Sequence, residues 1–192
     1  MKTRHGFVSN SSSSSFVVGF KNLPKTEDEL RKMMFGDIEA IEEYDHSMTT
    51  EAVAQRVFAD LQKTRPLTRK QIIEELTSGW LDAIEKAAGI IPFDHSQRED
   101  EVDERFEKKY GKYADWRKYP DWEKERQKAW EDDWKDYDAR RMTVGTAFWD
   151  KQQPEWEGLT IYCFSYADEN GETVLEHGDI FRNLKHIQIS HH

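Results

Sequence analysis

Two short stretches of this chain hold side chains suited to chemistry. Near the C-terminus, "EHGD" sets Glu176, His177 and Asp179 around a glycine. An imidazole between two carboxylates can relay a proton near neutral pH or help to hold a cation. Near the N-terminus, Asn10, Ser11, Ser12, Ser13, Ser14 and Ser15 form an unbroken polar run. Short hydroxyl and amide side chains bond to nearby backbone in turns, and a turn whose N–H groups point inward can cradle an anion.

Neither stretch matches a strong motif. The serine run contains no glycine and no lysine of a phosphate-binding loop, and the histidines lack the spacing of a zinc site. His177, Asp179 and Glu176 are therefore weak candidates for acid–base work, and Asn10 with the five serines a candidate ligand loop. No metal site and no cofactor is expected. If the strands at the two ends of the chain share one sheet, the serines and "EHGD" fall at the same end of it.

A third group of residues suits docking rather than chemistry. Trp116, Trp122, Trp130, Trp134 and Tyr137 lie within a charge-dense stretch. From Trp122 onward these aromatics fall on one face at helical spacing, with the charges expected on the other face. Tryptophan and tyrosine are favoured anchors of protein interfaces. Residues 97–141 hold 13 Lys/Arg and 15 Asp/Glu, so the stretch is mixed in sign and does not imitate the one-signed surface of DNA.

The totals bound the class. The chain has 192 residues and reads as one domain with a helical insertion. Only 36% of residues are apolar, but seven tryptophans supply large buried areas to a core. A net charge of −10 disfavours nucleic acid and anionic membranes as partners. Cys163 stands alone, so no internal disulfide forms. Lys2 and Arg4 are followed by no apolar leader, and no run is long enough to span a bilayer. A cytoplasmic location is the expectation.

The elements that must position these groups follow from pattern. Residues 6–8 and 16–20 read as strands flanking a serine loop, and 159–166 as a third strand. Asn170-Gly171 signals a hairpin turn returning through "ETVLEH" as a further strand, and "HIQIS" reads as the last one. Between them, Thr26 with Glu29 and Thr68 with Gln71 read as helix-opening capping boxes, with a further helix from Thr49 or Thr50. The fold class expected is α+β. A small antiparallel sheet of N- and C-terminal strands (1–24 and 155–192) carries a large helical region, 25–150, packed on it and protruding from it.

The segments "GFVSNSSSSSFVV" and "LEHGDIFRNLKHIQISHH" resemble the two ends of a phage and bacterial protein family to which no activity is attached. The resemblance covers roughly the first 20 and last 35 residues and implies a phage-type accessory protein working inside a host cell. The function expected is binding to a host protein, with inhibition of a host or defence factor as its concrete form. The alternative is a phosphate-ligand, nucleotide-binding or hydrolytic module built on the serines and the C-terminal His, Asp and Glu.

Overall fold

The computed structural model describes residues 13–79, 81–90, 95–111, 121–167 and 173–190. The chain divides into two compact units, residues 1–80 with 149–192 and residues 81–148.

The first unit is built on a three-stranded antiparallel sheet. Its strands are β1 (Ser13–Phe20), β4 (Thr160–Ala167) and β5 (Lys185–Ser190), in the order β4-β1-β5. The N-terminal strand is thus the centre of the sheet, with both C-terminal strands against it. Val17 pairs with Cys163 on one side and Ile187 on the other, and Ser14 with Tyr166 and Ser190. Ser13, Ser14 and Ser15 belong to β1 and not to a loop. Serine has little preference for strands, but pairing on both sides satisfies the backbone here and overrides that preference.

Alternation along β1 divides the core in two. Phe16, Val18 and Phe20 face a cluster shared with Tyr162, Phe164, Leu30, Met34, Val53 and Phe181. Helices α1 (Glu27–Phe35) and α2 (Thr50–Leu61) supply part of that layer. On the other face, Val17 is fully buried, and α3 (Arg69–Leu76) buries Ile72, Ile73 and Leu76. Gly79 lies against the end of β5. A Cβ there would sit 2.5 Å from the Ser190 carbonyl oxygen, so only glycine allows this approach.

The helix starts follow the capping chemistry. Thr68 and Gln71 form both halves of a capping box. Thr26 Oγ1 accepts from the Glu29 N–H, but the Glu29 carboxylate takes its bond from the Lys25 N–H. Two further elements depart from the patterns. Residues 173–177, expected as a strand, form the short helix α7 (Thr173–His177). The 25–150 region also holds a two-stranded hairpin, β2 (Ala40–Glu43) and β3 (His46–Thr49), closed by Tyr44 at a φ of 53°.

The second unit is helical. It contains α4 (Asp82–Ala88), α5 (His95–Tyr110) and most of α6 (Trp122–Gln152), whose last turn belongs to the first unit. Glu85 is fully buried and accepts from Arg140 Nε at 2.9 Å. The charges of α6 do not keep to the face opposite its aromatics. The Arg126 guanidinium lies 5.3 Å over the Trp122 ring, and that of Arg141 5.6 Å over Tyr137. Each arginine stands four residues after its ring, so helical geometry places them on one face.

Candidate functional site at the serine end of the sheet

The pleat decides which groups can meet. Ser14 points to the same face as its paired neighbours Tyr166 and Ser190, whereas Ser15 points to the other face and its hydroxyl lies 2.8 Å from that of Ser165. Consecutive serines in a strand therefore cannot converge on one ligand, and of the described serines Ser14 joins the face carrying α7. Asn10, Ser11 and Ser12 lie outside the described residues, as do His191 and His192.

Gln188 ties this end together. Its Nε2 donates to Ser14 Oγ at 3.3 Å and to the Glu176 carbonyl oxygen at 3.1 Å. The first serine-bearing strand and the "EHGD" helix are thus brought to one place, as the shared-sheet argument expects. Gln188 itself escaped the motif reading. Its signal was available, because Ile187 and Ile189 in "HIQIS" must share a face and so turn Gln188 toward the other.

The three candidate acid–base groups separate. Glu176 is fully buried, and neither carboxylate oxygen accepts a hydrogen bond among the described residues. His177 Nε2 lies 3.6 Å from Oε1. The imidazole meets the exposed Tyr44 ring edge-on, 5.6 Å between centroids. Asp179 is exposed and faces Arg182 at 3.6 Å. The Ser190 hydroxyl is also buried without a partner among the described residues. Buried polar groups in folded proteins are nearly always hydrogen-bonded, so two unsatisfied side chains at one end of a sheet set this region apart.

Chemically the region is rich in acceptors. Ser14 Oγ is held by the Gln188 amide rather than by an imidazole, so no serine–histidine pair for nucleophilic attack is assembled among the described residues. Among the same residues no group of three or more His, Cys, Asp or Glu could hold a metal ion. No described helix is long and apolar enough to cross a membrane. Cys163, half-buried in β4, donates from Sγ to Glu75 Oε2 at 3.5 Å. Burial, with the Glu75 carboxylate beside it, pushes its thiol up to about 12.

Aromatic rings of the second unit contact one another and neighbouring cations. Phe106 stacks on Tyr110 at 5.9 Å and meets Trp122 edge-on at 6.4 Å. Trp122 and Tyr137 are half-buried. Trp116 and the side chains of Trp130 and Trp134 lie outside what is described. Between α5 and α6 runs a groove of about 280 Å³, with Phe106 in its wall and Arg105, Lys109, Glu125, Lys128 and Asp132 around it. Lys109 and the Tyr110 hydroxyl both donate to Glu125, which holds that carboxyl below the usual carboxylate range. A depressed carboxyl supports the fold at neutral pH, and that support is lost only as the pH falls through its lowered value. Arg105 and Lys128 have no carboxylate partner among the described residues.

The structure defines an α+β protein with a separate helical unit. Comparison of the chain with protein-family profiles, curated proteins and solved structures returns no match.

Proposed function

We propose that this protein acts by binding a protein partner through the helical unit. The observation that carries the reading is the α5–α6 groove, where Arg105 and Lys128, with no carboxylate partner among the described residues, stand beside Phe106. Arginine and aromatic side chains are the types that dominate interface energies. These two cations favour an acidic segment of the partner, and the Arg126–Trp122 and Arg141–Tyr137 pairs extend the same mixed surface along α6. With the phage-like ends, the reading becomes an accessory protein that engages and inhibits an acidic host or defence protein in the host cytoplasm.

The test is capture from host lysate with the full chain and with an Arg105→Glu, Lys128→Glu double variant. Both positions are exposed, so the variant keeps the fold. The expected result is one stoichiometric partner that the double variant loses. Recovery of the same partner by the variant, or of none by the native chain, contradicts the proposal.

A second reading, a small-ligand site at the serine end, is favoured by the Gln188 bridge and the unsatisfied Glu176. The carboxyl changes the ligand class. A phosphate beside a buried carboxyl meets repulsion, so the fitting ligand is a cation or a bearer of hydrogen-bond donors.

A further inference from the structure

The β2–β3 hairpin presents one sign of charge in a chain that is otherwise mixed. Residues 33–55 hold six acids, Asp37, Glu39, Glu42, Glu43, Asp45 and Glu51, and no Lys or Arg. On the helices, acids pair with cations a turn away, as Asp28 does with Lys32 and Glu74 with Lys70. Of the six, Glu51 lies 3.8 Å from Arg31, and the other five make no ion pair among the described residues. Arg31 is itself shared with Asp28 and the Gly36 carbonyl oxygen.

Acidic side chains alone select nothing, but two further groups stand at the hairpin tip. Tyr44 is 77% exposed, more so than Leu23 or Met142. Its ring meets His177 edge-on and is otherwise open to solvent. Glycine or asparagine suits a φ of 53° better than tyrosine does, so turn chemistry does not account for this ring. Behind the tip lies Glu176. Helix α7 packs on both hairpin strands, and Gly178 just beyond it abuts Ile41 of β2. The buried Glu176 carboxyl reaches toward the His177 ring that Tyr44 covers, and no Lys or Arg among the described residues pairs with it. The tip is thus backed by a further acidic side chain and by no basic one.

The exposed acids are spread rather than convergent. Glu42 pairs with Ser47 across the hairpin and Glu43 with His46, so the two glutamates point to opposite faces. Among the described residues no three His, Cys, Asp or Glu could share a metal ion. A string of cations fits this spread, and a single ion does not. We infer that the hairpin docks a basic, arginine-bearing extended segment of a partner protein. A guanidinium lies over the Tyr44 ring, whose negative face attracts it, and pairs with the Asp45 carboxylate beside that ring. Further basic residues pair with Glu42 and Glu39. The same charge repels nucleic acid. This surface belongs to the first unit and is separate from the α5–α6 groove, which favours an acidic segment.

The test is calorimetric titration of the full chain, at low ionic strength, with a capped Gly-Arg-Gly-Arg-Gly-Arg-Gly peptide. Tyr44→Asn keeps the charge and suits the turn, so Tm should hold or rise while Kd increases about threefold or more. Glu42→Gln with Asp45→Asn, both at exposed positions, should weaken binding about fivefold. Glu104→Gln with Glu107→Gln removes the same charge from exposed positions of α5 and should leave the affinity within about twofold. Equal affinity for Tyr44→Asn overturns the inference. So does an equal loss in the α5 pair, because attraction would then follow net charge alone. Absence of binding at millimolar peptide overturns it as well. Capture of an acidic partner is read on Arg105 and Lys128, so the two proposals fail separately.

Discussion

Glu176→Met is expected to raise stability by about 2 kcal/mol, although it removes a group conspicuous for its chemistry. Methionine nearly matches glutamate in length and needs no hydrogen bond. The native side chain is fully buried with both oxygens unbonded among the described residues, and a buried polar group left unsatisfied costs about 1–3 kcal/mol. The contact to His177 at 3.6 Å is too long for a hydrogen bond and offsets little of that cost. Glu85 supplies the contrast, being equally buried but bonded to Arg140 at 2.9 Å. At about 2–4 °C per kcal/mol for a chain of this size, Tm should rise by about 4–8 °C. A fall in Tm would show that the carboxyl is a structural acceptor, and the second, ligand-binding reading would lose its main support. A rise marks a group retained at a cost in stability, as binding and catalytic groups commonly are.

Cys163 is expected to resist alkylation in the folded protein by about a thousandfold. Its thiol is raised from 9.0 to about 12, by burial first and by the Glu75 carboxylate second. Only the thiolate reacts, so at pH 8 the reactive fraction falls by about three orders of magnitude relative to an unperturbed thiol. Timed labelling with iodoacetamide, with and without denaturant, measures the ratio directly because the chain has a single cysteine. Labelling of the folded chain at the rate of the unfolded one would mean that β4 opens far more readily than its pairing to β1 implies. The raised value also removes Cys163 from the candidates for a nucleophile.

The outline of the fold was legible because the strongest local signals agree with the tertiary structure. "LTIYCFSY" is aromatic and β-branched, and it forms β4. Thr68 and Gln71 have the spacing of a capping box and make one. The failures arose where packing decides. "ETVLEH" contains Thr173 and Val174, which favour strands, yet Val174 and Leu175 are buried as part of α7 in the core beneath the hairpin. The hairpin was hidden because Tyr44 and Asp45 replace the usual glycine or asparagine of its turn. On α6, tryptophan periodicity was visible, but the arginines that cap the rings read as part of a solvated face. At the candidate site, the meeting of Ser14 with α7 followed from strand pairing, whereas the isolation of Glu176 depends on three-dimensional neighbours that no spacing reveals.

Hydrogen exchange on the purified complex with its captured partner tests the central claim most directly. Slowed exchange in α5 and in the first half of α6, relative to the free chain, is the predicted result. Protection confined to β1 and α7, or to the β2–β3 hairpin, with α5 and α6 exchanging as in the free protein, would contradict binding through the helical groove.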